Sequence, residues 1–516
     1  MARSLSARVF LFTAGNVLST ASTALITILL ARYLSKESMG TYQQLWLVHG
    51  LLMALLLAGL PNSMLFFVPS LPQSQQRSLL ALATTVSLGL AIIVSVGMAA
   101  AAGAVATRFH NPELGELLRL FALYTFLITS VLHFPRYMVT RGKHEWAAVY
   151  QLLVAVGVLI AGLWGMAIGG GPREITIALL YTGLPVWLWG VMGLIRSWLQ
   201  TPGGKSAPSR RVLRYAAQTT LAGAGSIFMQ FWGPQAISLL ARPAEVAVFR
   251  MGATEIPLLT TVTASVMLGL TPTLAEHYAA QRIDAMVSLW HRAIERLSGI
   301  MLPAFVYAFL MAPDVIVLLF SSKYLESATI FRIYLCALPL RTGFYGGVLQ
   351  AMGRSQDMMK STTVGCALAV ASTPPLVMWL GLQGPAVSYV LGYYVIGVVF
   401  LAHISRAAHV PWRRLMPWRD LNRQLGLSAL AAVVCLPVMA YRWGEHSLQL
   451  SVLRLGVSLL LYLPLCCWLF RRAGYSVAGG LLDRWWRRRR TTGATPSQVA
   501  KEGKTPSGGE KSEEEM

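Results

Sequence analysis

The sequence predicts an all-α polytopic membrane protein of about fourteen transmembrane helices, arranged as two six-helix lobes and an extra C-terminal helix pair. Three observations predict it. Apolar residues make up 55% of the chain and charged residues 12%, about half the charge of a soluble domain. Apolar runs of about twenty residues, each enough to cross about 30 Å of hydrocarbon, recur from end to end. Finally, the chain echoes itself at an offset of 210: Leu29-Leu30-Ala31-Arg32 returns as Leu239-Leu240-Ala241-Arg242, and Gly59-Leu60 returns as Gly269-Leu270. A third echo, Arg141-Gly142-Lys143 against Met352-Gly353-Arg354, follows at 211. A long hydrophobic repeat of this kind is how many transporters build a central site with two alternating doors.

The expected spans lie at 8–31, 40–68, 79–106, 116–138, 146–168 and 175–199 in the N-lobe (1–200), and at 213–240, 246–275, 286–312, 325–352, 360–380 and 384–405 in the C-lobe (213–405). The first run is too long for a signal-peptide core and reads as a retained helix. Residues 201–212, opening Thr201-Pro202-Gly203-Gly204, form a polar linker with the composition of a tether. Six helices is an even number, so the second lobe enters the membrane in the orientation of the first, and the lobes are related by a pseudo-twofold along the membrane normal. Spans thirteen and fourteen, within 424–470, have no counterpart in the repeat. The remainder, 471–516, is basic (Trp485-Trp486 then Arg487 to Arg490) and then too polar to bury a core, as in a disordered tail.

The net charge of +22 reports orientation. With the N-terminus in the cytoplasm, 31 of the 43 Lys and Arg fall in inner loops and termini and 8 in outer loops and helix ends; only Arg119, Arg250, Arg332 and Arg341 lie within spans. Clusters such as Arg136/Arg141/Lys143 and Arg210/Arg211/Arg214 mark the inner side. This asymmetry is the positive-inside rule. It places both termini in the cytoplasm and removes the reason to invoke a nucleic-acid partner. The five cysteines all fall in spans without metal-ligand spacing and read as packing residues.

Polar groups inside the membrane nominate a site. Thr13, Asn16, Thr20, Thr23 and Thr27 share one face of span one, and a shift of 210 sets Asn16 against Ser226 and Thr20 against Gln230 on span seven. Two readings stand: a hydrated cavity lined by both lobes, or helix packing through small and hydroxylated residues. Among the arginines, Arg119 and Arg332 lie in outer turns and can snorkel, Arg250 is a little deeper, and Arg341 is near the middle of span ten. Nine residues separate Arg332 from Arg341, so a straight helix cannot aim both at one cavity; Pro339 is placed to bend it. Glu255, just before Pro257, is the one acidic residue placed at depth. It reads either as an ion-pair partner of Arg341 or as a group that tunes a ligand site there, with Arg341 meeting an anionic headgroup. For a cargo carrying about two negative charges, an inside-negative potential contributes about 2.3 kcal/mol per charge per 100 mV to outward movement.

The outer loops are short and no paired carboxylates, HExxH, phosphate-cradling loop or GxSxG stands at a plausible place, so the chain does not read as an enzyme and no cofactor or metal is called for. Four stretches carry a resemblance: Leu29 to Tyr42, with a Gly40-Thr41-Tyr42 entry to span two; Ala58-Gly59-Leu60-Pro61; Ala312-Pro313-Asp314 followed by Phe320-Ser321-Ser322-Lys323-Tyr324; and Gly381-Leu382-Gln383-Gly384-Pro385-Ala386. With these the chain resembles a Wzx-type polysaccharide flippase of the MOP (multidrug/oligosaccharidyl-lipid/polysaccharide) superfamily. Ser321-Ser322 departs from the Gly often found there, and the arginine cluster early in span one expected of a peptidoglycan-precursor flippase is missing. The resemblance implies translocation of an undecaprenyl-diphosphate-linked oligosaccharide across a bacterial inner membrane by alternating access. It implies a lipid-linked anionic glycan and membrane lipids as partners, and other polysaccharide assembly proteins as further candidates. A cation-coupled multidrug-type exporter of the same fold, or a non-transporting scaffold of a polysaccharide assembly complex, are the alternatives.

Overall fold

The structure, a computed structural model, describes the backbone of residues 5–57, 59–254, 256–440 and 447–475; the side chains of 5–17, 20, 54–57, 222–224, 226, 227, 257, 258, 260–262, 264, 265, 268 and 440 fall outside the description. The described residues form helices and no strand. The first half comprises α1 (Leu5–Tyr33), α2 (Lys36–Leu57), α3 (Gly59–Ser70), α4 (Gln73–Arg108), α5 (Glu113–Ser130), α6 (Phe134–Thr140), α7 (His144–Ala167) and α8 (Pro172–Gln200). The second comprises α9 (Ser209–Leu240), α10 (Pro243–Gly252), α11 (Pro257–Ala279), α12 (Ile283–Leu310), α13 (Ala312–Phe320), α14 (Ser327–Leu335), α15 (Leu338–Arg341), α16 (Tyr345–Ala351), α17 (Ser355–Leu380) and α18 (Gly384–Ala408). A short α19 (Trp412–Leu415) leads to α20 (Trp418–Ala440) and α21 (Leu448–Arg472).

This is a multi-pass membrane protein. Eight stretches among the described residues are long and apolar enough to cross a bilayer, one of them, Ser355–Ala408, holding both α17 and α18. Several expected spans are not straight rods. Span four is interrupted by a turn at Val131–His133, span eight is non-helical around Ala253, Thr254 and Ile256, and span ten is cut into three pieces. Interrupted backbone at membrane depth is tolerated only where it is buried in protein or lines a cavity.

The two halves use one packing plan. In the first, α1 packs on α7, α4 on α5, and α7 on α8; in the second, α9 packs on α17, α12 on α14 and α15, and α17 on α18. Polar groups in these seams are satisfied locally. His133, fully buried at the turn in span four, faces Ser87 Oγ at 2.8 Å and Thr84 Oγ1 at 3.2 Å. The linker packs on the first half, with Ala207 N–H donating to Ser78 Oγ at 3.1 Å; Arg77, one residue before Ser78, lies 3.8 Å from the Trp198 ring centre of α8.

Between the halves, α2 lies against α10 and α3 against α9. The approach is close enough to require glycine at two points. A Cβ on Gly40 would sit 1.8 Å from the Pro243 carbonyl oxygen, and one on Gly59 would sit 1.9 Å from that of Ala216. At the ends that the charge distribution assigns to the outside, two cations exchange helix C-termini. Arg32, in the last turn of α1, donates from Nε to Leu319 O (3.3 Å) and from Nη2 to the carbonyls of Val317 (3.3 Å) and Leu318 at the end of α13. Lys323, just beyond α13, returns the contact by donating to Arg32 O (2.9 Å) and Leu34 O (2.6 Å). Each cation thus meets carbonyls at a helix end, where the dipole favours positive charge. Burial in this contact holds the Lys323 ammonium below the ordinary lysine range. The Lys36–Glu326 ion pair (3.6 Å) lies beside them.

Candidate functional site

The three-way cut in span ten follows from its sequence. Pro339 has no N–H to continue the ladder from α14, and Gly343 lowers helix propensity further. Between the cuts, α15 survives as a single turn, Leu338–Arg341. Thr342 Oγ1 donates to Pro339 O (2.7 Å), and the Gly343 carbonyl, freed by the cut, accepts from Trp290 Nε1 (2.9 Å) on α12. Phe344 takes a left-handed backbone with φ of 32°, a conformation that costs of order 1–3 kcal/mol in a non-glycine residue and tends to accompany functional sites.

This cut opens on a cavity of about 480 Å³ inside the second half. Gln230 and Met229 come from α9, Thr263 and Met267 from α11, Arg341, Phe344 and Tyr345 from span ten, and Tyr389 and Tyr393 from α18. A second recess, about 30 Å³, lies on the other side of Arg341 and reaches Thr254 and Ile256 at the cut in span eight. Arg341 and Tyr389 border both. The guanidinium sits 5.5 Å from the Tyr393 ring centre, a distance suited to cation–π attraction. Tyr334, Tyr389 and Tyr393 form a stacked run, with centroid separations of 4.7 and 5.8 Å. The site therefore combines one permanent cation, a side-chain amide and a row of aromatic faces. Such a surface can hold an anion at one point and lay apolar C–H faces of a ligand against the rings.

A family profile described as polysaccharide biosynthesis protein matches residues 29–329. The chain belongs to that family. A search of curated proteins returns no match. Among solved structures, this polysaccharide biosynthesis protein is similar to the lipid II flippase MurJ in an inward closed conformation, at 11% identity over 90% of this chain and 99% of that one, with a TM-score of 0.68. It is also similar to an inward-facing multidrug resistance MATE family transporter of the MOP superfamily (18% identity, 76% of this chain and 95% of that one, TM-score 0.61). A Vibrio cholerae MATE transporter aligns at 11% identity over 79% of this chain and 98% of that one, with a TM-score of 0.55. At these identities the likeness establishes a shared fold. The all-helical, many-helix membrane fold expected from the sequence is the one observed, and it is shared with these transporters.

Of the residues nominated from sequence in this family member, Arg341 and Gln230 meet in the cavity. Arg250 does not line it: its Nε donates to Gln43 Oε1 (3.2 Å) on α2, across the seam between halves. The side chains of Asn16, Thr20 and Ser226, and Glu255 altogether, lie outside the description. Thr23 and Thr27 turn their hydroxyls back onto Ser19 O (3.0 Å) and Thr23 O (2.8 Å) of their own helix, as membrane helices often do. Arg332 snorkels out of the site and caps Phe309 O at 3.0 Å. Sequence reasoning missed the tyrosines and Phe344. The available signals were Tyr389 and Tyr393 four apart on one face of span twelve, and the Pro339 to Gly343 punctuation next to a mid-span arginine.

Proposed function

We propose that this protein is a flippase moving a polyprenyl-diphosphate-linked oligosaccharide from the inner to the outer leaflet of a bacterial inner membrane, with both termini cytoplasmic, for cell-surface or exopolysaccharide synthesis. One observation carries the reading: a cavity at the cut of a spanning helix, in which Arg341 and a run of tyrosine faces converge. Discontinuous spans that border a cavity are the usual place for a transporter's ligand site. A diphosphate matches the cation, sugar rings match the tyrosine faces, and the polyprenyl tail stays in the bilayer while the headgroup passes between lobes. A multidrug-type cation exporter calls for carboxylates in the cavity, and the described lining contains none.

The test is flipping of a fluorescent polyprenyl-diphosphate oligosaccharide by the full chain in proteoliposomes. Arg341→Ala is expected to lower the rate tenfold or more, and Arg341→Lys to retain a substantial part of it, since the charge is kept and only the planar fork is lost. Unchanged export with Arg341→Ala and Gln230→Ala would instead support a scaffold, and cation-dependent drug efflux would support the exporter.

The exchange of Arg32 and Lys323 supports a door at the outer end. Arg32→Ala with Lys323→Ala is expected to widen the distance between spin labels placed on α1 and α13 at their outer ends, with little change in distances within either half. An unchanged distribution would mean the contact is ornamental to closure.

A further inference from the structure

The first half has its own cavity, at the equivalent cut. The turn at Val131–His133 stands 210 residues before Arg341–Gly343. Directly beyond it, α6 carries Arg136, which sequence reasoning placed in the inner loop cluster with Arg141 and Lys143. The structure places it on the wall of a cavity of about 320 Å³ between α3, α5–α6 and α7. Leu65, Leu132, Val139 and Val154 supply apolar wall, and Gln151 supplies an amide beside the guanidinium. Neither Arg136 nor Gln151 has a hydrogen bond or ion pair with a described residue, whereas His133 and Asn111 of the same half are paired.

An arginine walled by leucine and valine at the edge of the membrane favours an anionic partner. Here the available counter-charge must come with apolar chain attached. Leu65, on the cavity rim, is 46% exposed, so the cavity has an open apolar edge along which a hydrocarbon chain can lie. Arg136 lies one turn from the basic loop that holds Arg141 and Lys143, the level of an inner-leaflet headgroup. We propose that this cavity binds the phosphate of a membrane lipid, with Arg136 and Gln151 on the phosphate oxygens and the acyl or prenyl chains along Leu65 and Val154. The site is distinct from the Arg341 cavity and stands whether or not the protein flips glycans.

The test is lipid retention by the purified full chain in native mass spectrometry, with phosphatidylglycerol, undecaprenyl phosphate and phosphatidylcholine as probes. Wild type is expected to retain one or both anionic probes at least tenfold over phosphatidylcholine. Arg136→Gln is expected to erase about tenfold of that preference, and Arg136→Lys to keep most of it. Retention of phosphatidylglycerol alone identifies a bulk-lipid site, and retention of undecaprenyl phosphate alone a site for a cargo-type lipid. Absence of any anionic preference, or a preference unmoved by Arg136→Gln, overturns the proposal. If Arg136→Gln does not fold, Val154→Trp fills the same space from α7, and lipid retention unaffected by it overturns the proposal equally.

Discussion

Gly40→Val is expected to hold the outer ends of the two halves apart while each half folds normally. A Cβ at this position falls 1.8 Å from Pro243 O and 2.3 Å from Pro243 C, both backbone atoms at the first turn of α10. Neither can rotate away as a side chain would, so α2 and α10 must separate by ångströms. That separation also stretches the nearby Arg250–Gln43 hydrogen bond and the exchange of Arg32 and Lys323 across the same end. A cysteine pair at Lys36 and Glu326, which now form an ion pair at 3.6 Å, should cross-link at least tenfold less in the Gly40→Val background. Efficient cross-linking there would show that the halves tolerate the clash. Gly269→Ala is the matched control. It is the repeat counterpart of Gly59, whose Cβ would meet Ala216 O at 1.9 Å, yet nothing lies within 4 Å of a Cβ on Gly269. The alanine should be neutral at Gly269 and disruptive at Gly59, although the sequence presents both as the same Gly-Leu pair.

That contrast shows what was legible. Membrane class, all-helical fold and duplicated plan follow from apolar runs and a conserved offset, which depend on local composition and need no contact map. Arg341 was legible because a mid-span arginine is costly wherever it points, and Pro339 because it breaks a helix in any context. The tyrosine run was not, because Tyr334 meets Tyr389 only after span ten is cut and folded back on α18. Arg250 reads like Arg341 in one dimension, but its partner Gln43 is 207 residues away in the other half. Arg136 stands at the end of the expected span 116–138 and counts with the inner cluster of Arg141 and Lys143, but one dimension does not show the cavity that α3 and α7 close around it.

The least legible feature carries the largest stability prediction. Asp314, from the Ala312-Pro313-Asp314 stretch, and Arg454 of α21 form a buried ion pair at 3.2 Å, each about 5% exposed or less. Ser451 Oγ adds a bond to the same carboxylate oxygen at 2.9 Å. Nearby, Tyr307 donates to Leu455 O at 2.7 Å and Tyr462 to Pro303 O at 3.1 Å. These contacts join α21 to α12 and α13, so the appended pair is bound to the second half. Asp314→Ala would strand the guanidinium, whose Nε and Nη2 already lack a hydrogen-bond partner among the described residues. Removing one member of a buried pair costs about 3–5 kcal/mol. The thermal midpoint of the detergent-solubilised protein should fall accordingly, with Arg454→Met similarly harmful because it leaves the carboxylate behind. The double replacement Asp314→Leu with Arg454→Met should recover most of the loss, since an apolar pair of similar volume removes both desolvation penalties. If the double variant is instead as unstable as the sum of the singles, the pair's packing rather than its charge holds α21 in place. The profile match ends at residue 329, so it includes Asp314 but not Arg454: the appended helix brings a buried counter-charge to a carboxylate of the family portion.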